Sequence, residues 1–217
     1  IFISTSANVI NRAHINNLTI TTATSVATVS SPSTLELSGG VWNVNGDFST
    51  AAGAPTSRLI IKVHTINGGT CSGGGSIYLD VSQWTISSTT AVQFTNIANL
   101  TGYIGSLTNV GGTTATGIGL LDLTIDRMDV TGATTTNVFN YLNTGTTNIS
   151  IKRLNMSSAR TFVNQVGAGT LNINTLTLTA GSSANPFIVF SASGAALVGT
   201  YNIDNAVISS ATASSIF

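Results

Sequence analysis

Three aspartates and two arginines are the residues of this 217-residue chain whose types and spacing could do chemistry together. They are Asp122, Asp126 and Asp129, with Arg127 among them and Arg153 one repeat further on. Two or three carboxylates on one face can act as general acid and base on a glycosidic bond, or share a calcium ion. Guanidinium groups beside them add sites for anionic ligands. The chain has only seven Asp and Glu in all, so a catalytic centre would have to gather most of them here. A solvated ridge needs no such economy, and it is the weightier expectation. Asp122, Asp126, Arg127, Asp129 and Arg153 are therefore read as a candidate binding patch. No catalytic residue, metal site or cofactor is assigned.

The other reactive side chains do not converge. His14 and His64 lie fifty residues apart, and no second His or Cys stands at ligand spacing from either. Cys71 is the one cysteine, so no internal disulfide can form, and a nucleophilic role would require a histidine base held against it. The glycine-rich stretch 67–76 lacks the Gly-Lys-Ser/Thr of a phosphate loop and opens no helix, so it reads as a turn.

What must position the acidic patch is a repeat. Nine times the chain shows apolar residues at the first, third, sixth and eighth places of an eight-residue pattern. Clear copies are Leu79-Val81-Trp84-Ile86, Leu123-Ile125-Met128-Val130 and Ile149-Ile151-Leu154-Met156. The second copy is read as Leu35-Leu37-Gly40-Trp42 and the third as Ile61-Val63-Ile66-Gly68. The starts lie 18 to 30 residues apart. Alternation within each half is the period of a strand. The two central residues, such as Asp126-Arg127 or Lys152-Arg153, break it and mark a corner. A further apolar point follows each copy, read as Val29, Phe48, Ile77, Phe94, Ile118, Phe139, Phe162, Phe187 and Phe217. No stretch carries helical spacing.

A repeat of this length buries its apolar side only by stacking on its neighbours. The expected fold is all-β, a single-chain parallel β-helix of about nine coils of roughly 23 residues, each about 4.8 Å from the next. The stack makes specific demands. Ile15, Leu37, Val63, Val81, Ile104, Ile125, Ile151, Ile173 and Ile203 should form one buried column, with Trp42 packed over Gly68. Glu36, Lys62 and Asp80 should neighbour one another on the outside, as should Asp126 and Lys152. Arg127 and Arg153 would stack as like charges, which calls for an anion or a side-chain swing.

Composition bounds the rest. Charged residues are 6% of the chain, against about 25% in ordinary domains. Threonine occurs 35 times, and the net charge is zero. Seven scattered basic residues argue against nucleic acid. No apolar run reaches membrane-spanning length, so no membrane insertion is expected. The repeats run through residues 1–217 as one domain, expected to be a segment of a longer polypeptide.

The columns and the Asn/Thr-rich turns resemble the right-handed parallel β-helix superfamily, which includes pectin-lyase-like enzymes, phage tailspikes and fibres, and bacterial adhesins. The low charge is most similar to the fibre, tailspike and adhesin segments. That resemblance implies a non-enzymatic, virion-surface or extracellular rod that is a homotrimer and meets a host-surface glycan or protein receptor. The alternatives are a bacterial surface adhesin or filament protein, and a polysaccharide lyase or hydrolase.

Overall fold

A computed structural model of the chain describes residues 2–6, 8–22, 25–30, 32–51, 55–86, 92–109, 113–116, 119–131, 139–141, 146–156, 163–165, 169–179, 188–190 and 199–209. Its strands are β1 (Phe2–Ser4), β2 (Ile10–Ile20), β3 (Ala27–Val29), β4 (Thr34–Thr50), β5 (Arg58–Gly73), β6 (Ser76–Ile86), β7 (Val92–Thr95) and β8 (Asn99–Asn109). They continue as β9 (Thr113–Thr116), β10 (Leu120–Val130), β11 (Phe139–Tyr141), β12 (Thr146–Met156), β13 (Val163–Gln165), β14 (Gly169–Leu178), β15 (Ile188–Phe190) and β16 (Gly199–Ile208). The described residues contain no helix. The chain is an all-β parallel solenoid.

The long strands β2, β4, β5, β6, β8, β10, β12, β14 and β16 stack in that order, all parallel. Short strands close the coil on a second face. Six rungs of that face, from β1, β3, the ends of β4 and β5, β7 and β9, belong to the same hydrogen-bonded sheet. Strands β11, β13 and β15 form a separate three-stranded sheet. The solenoid thus makes about six turns rather than the nine coils expected from the repeats. The repeats count long strands, whereas a turn also requires its second face to be joined in.

Eight of the nine pattern copies fall in the expected register. Val63, Val81, Ile104, Ile125, Ile151 and Ile173 form one column, each at most 1% exposed, with partly buried Ile15 and Ile203 at its ends. The corner shows as a skipped position in the ladder. Ile125 faces Ile151 and Arg127 faces Arg153, with Asp126 and Lys152 left out between them. The long strands also begin one inward position earlier than the pattern implied. Leu35, Leu59, Ile77, Leu100 and Leu121 make that extra buried column, and Ile77 belongs to it rather than to the second face.

The second copy is displaced by two residues. Ile15 faces Gly39, and Gly39 faces Val63, so Leu37 belongs one column over, between Ala13 and Ile61. Trp42 is fully buried as expected, but it lies between Leu18 and Ile66; the residue over Gly68 is Val44. The reason is the indole. Its Nε1 donates to the Ile15 carbonyl at 2.7 Å, crossing the space above Gly39. A Cβ on residue 39 would stand 2.5 Å from that nitrogen and 1.9 Å from the Ile15 oxygen, so only glycine fits beneath the ring. Trp84 repeats the device, donating from Nε1 to the Gly68 carbonyl at 2.8 Å. Gly68 has a φ of +88°, the left-handed region that glycine enters at least cost.

On the second face the inward column runs Phe2, Ala27, Phe48, Cys71, Phe94, with Ala115 next in register. Large residues alternate with small ones, which lets successive layers interdigitate. Phe2 stacks on Trp42, and Trp42 on Phe48, both with ring centroids 6.3 Å apart. Val29, assigned to this column from the sequence, faces Thr50 instead. Phe139 faces Val163, and Val163 faces Ile188. Residues 118, 162, 187 and 217 lie outside the described residues.

Candidate functional site

The acidic patch rests on β10, whose outward positions are set by the register. Asp122 is exposed, flanked by Thr101 of β8 and Asn148 of β12. Asp126 occupies the corner. Its carboxylate pairs with Lys152 Nζ at 2.6 Å and accepts the Tyr103 hydroxyl at 2.6 Å. Arg127 and Arg153 are in register, as expected. The conflict is relieved by a swing: Arg127 Nε turns along its own strand to Asp129 at 2.7 Å. Asp129 also accepts from Asn155 Nδ2 at 2.7 Å. Arg153 is exposed, with no carboxylate within 4 Å among the described residues.

The five candidate residues therefore divide. Asp126 joins Tyr103 and Lys152, while Asp129 joins Arg127 and Asn155. Neither group contains Asp122. No group of three or more His, Cys, Asp or Glu among the described residues could hold a metal ion. Lys152 and the Tyr103 hydroxyl hold the Asp126 carboxyl below its ordinary range. A general acid at neutral pH needs the opposite shift. The same bond pushes the Tyr103 phenol above its ordinary value, because ionising it would set two anions side by side.

The remaining reactive groups lie apart from the patch. Cys71 is buried, and desolvation with the nearby Asp47 charge drives its thiol well above the ordinary value. It remains a protonated thiol filling a small position between Phe48 and Phe94. His14 is exposed and shares a 3.0 Å hydrogen bond with Ser38. Asp47, beside a bulge in β4, accepts the hydroxyls of Thr70 and Ser72.

The outer ion pairs follow the corrected register. Lys62 faces Asp80 as expected, but Glu36 faces Arg12 directly. Glu36 lies between two cations, Arg12 at 3.2 Å and Lys62 at 2.7 Å. They lower its pKa, as Lys152 and Tyr103 lower that of Asp126. A carboxyl depressed in the folded state stabilises fully above its unfolded pKa and loses that contribution as pH falls through the folded value. The reference values are 4.5 for Glu36 and 3.8 for Asp126. The melting temperature should thus hold steady from neutral pH to about 5 and fall below that. Thermal unfolding followed by circular dichroism should show a shallower acid fall in a Glu36→Gln/Asp126→Asn double variant.

Tyr103 is the site residue whose role sequence reasoning did not reach. The strand pattern of its own coil does not show its bond to Asp126. The signal lay in the register: Tyr103 stands one rung before Asp126 and next to the corner column. The polar surface is otherwise knitted rung to rung. Asn67 donates to Asn43 and Asn202 to Asn172, each at 2.8 Å. No helix among the described residues is long and apolar enough to cross a membrane. Compared with protein-family models, curated proteins and solved structures, the chain matches none of them.

Proposed function

We propose that this chain is a non-catalytic, virion-surface or extracellular rod, a structural and receptor-binding segment of a phage tail fibre or tailspike that works as a homotrimer. The observation that carries the reading is the outer surface. Ladders of Thr, Ser, Asn and Gln run along it, tied rung to rung by side-chain hydrogen bonds such as Asn43–Asn67, with exposed Val41 and Val207 among them. A neutral, hydroxyl-rich face offers little charge repulsion between parallel rods and can pack in a symmetric assembly. The acidic patch supports the non-catalytic part. Asp126 and Asp129 are each held by their own cation, and the Asp126 carboxyl is depressed rather than raised.

Two measurements test the proposal. Light scattering with electron microscopy of the protein should return three rods side by side; a strict monomer would favour the adhesin reading. Incubation with acidic and neutral bacterial polysaccharides should release no new chain ends. Cleavage by the wild type that is abolished in an Asp122/Asp126/Asp129 to Asn triple variant would overturn the proposal in favour of a lyase or hydrolase.

A further inference from the structure

We infer that the outer face of β6, β8 and β10, ahead of the corner, is a saccharide-binding platform for neutral glycans, built on Tyr78 and Tyr103. This rests on the receptor-binding reading above and names the ligand class.

Six other aromatic side chains are turned inward. Trp42, Trp84, Phe48 and Phe94 are at most 1% exposed, Phe2 packs against the core, and Tyr201 occupies an inward column. Tyr78 and Tyr103 occupy outward positions on adjacent rungs, Tyr78 half-buried and Tyr103 36% exposed. The register sets them diagonally. Asp80 faces Tyr103 and Tyr78 faces Thr101; on the next rung Asp122 faces Thr101 and Thr124 faces Tyr103. Two tyrosine side chains therefore alternate with two exposed carboxylates and two threonines on three successive strands.

That arrangement suits a sugar. A pyranose presents a C–H face, which packs on an aromatic ring, and a rim of hydroxyls, which donate well to carboxylates. Strands about 4.8 Å apart repeat the acceptors along the rod, so successive sugar units can be met by successive rungs. Tyr103 is preorganised, because its hydroxyl is tied to Asp126, which Lys152 holds in turn. Fixing the ring beforehand lowers the ordering cost of binding.

Charge selects the class of glycan. Asp80 and Asp122 are exposed; Lys62 stands in register with Asp80, but its ammonium is bonded to Glu36, as that of Lys152 is to Asp126, so among the described residues neither platform carboxylate has a cation within 4 Å. The platform repels a polyanion and accepts a neutral glycan with free adjacent hydroxyls.

Affinity electrophoresis of the full chain in gels cast with dextran, mannan or galactan tests this, with polygalacturonate as the acidic arm. Retardation is expected in at least one neutral gel and not in polygalacturonate. Tyr103→Ala and Asp80→Asn should each weaken it about tenfold or more. Tyr103→Phe, which keeps the ring and loses the bond to Asp126, should lose less, and His14→Ala, exposed on β2 and outside both the platform and the acidic patch, should change nothing. Matching thermal melts separate lost binding from lost fold. Equal retardation of the wild type and a Tyr78→Ala/Tyr103→Ala variant would overturn the platform, as would retardation by polygalacturonate alone or by no gel. A trimeric rod that fails these tests would remove the platform and leave the fibre reading standing; a monomer that passes would do the reverse.

Discussion

Replacing Ile151 with Asp should destabilise the chain by about 4 kcal/mol or more, a large part of the stability of an ordinary domain. Ile151 is 1% exposed and stands between Ile125 and Ile173 in the central column. Its neighbours along that stack are aliphatic, so an introduced carboxylate would find no hydrogen-bonding side chain there. Burial would raise its pKa. A raised carboxyl contributes stability below its unfolded pKa and loses it as pH rises through the folded value. The deficit relative to wild type should therefore be largest at neutral pH and shrink in acid, the opposite of the behaviour expected for Glu36 and Asp126. Ile151→Val, which removes one methylene, should cost about 1 kcal/mol at all these pH values. Denaturant unfolding at pH 7 and pH 4 measures both. An Ile151→Asp variant as stable as Ile151→Val at pH 7 would contradict the column.

Trp42→Ala should cost about 3–5 kcal/mol, the range for emptying a buried large aromatic site. The indole is fully buried, lies stacked between Phe2 and Phe48, and donates to the Ile15 carbonyl. Its loss opens a cavity where the two faces of the coil meet. Trp42→Phe separates the contributions. It keeps the stack and removes the donor, so the Ile15 carbonyl loses that partner at a cost of about 1–3 kcal/mol. The expected order of stability is wild type, then Trp42→Phe, then Trp42→Ala, read by denaturant unfolding with near-ultraviolet circular dichroism as the probe of the ring stack. If the Phe and Ala variants proved equally unstable, the hydrogen bond and not the packing would hold this corner.

Much of the architecture was legible in the chain. Alternating apolar residues on both sides of a two-residue break need no partner to be read, because strand period and corner are local properties. Recurrence nearly end to end then requires stacking, since one such coil cannot bury its own apolar side. The Asp126–Lys152 pair and the facing of Arg127 and Arg153 follow from counting positions along the copies. The second copy could not be placed that way. A slip of two residues keeps the alternation on each side of the break and moves only the corner, from Gly40-Val41 to Ser38-Gly39, so Leu35-Leu37-Gly40-Trp42 satisfied the pattern as well as Leu37-Gly39-Trp42-Val44 does. The choice was made in three dimensions, where the Trp42 indole needs the empty space over Gly39 and the Ile15 carbonyl as acceptor. The candidate site divides in the same way. That Asp122, Asp126 and Asp129 share one strand is a fact of sequence. Which cation, hydroxyl or amide each one meets was decided by side chains of neighbouring coils, and by the Arg127 side chain turning away from Arg153. Residues more than twenty positions apart become rung neighbours only once the coils are stacked.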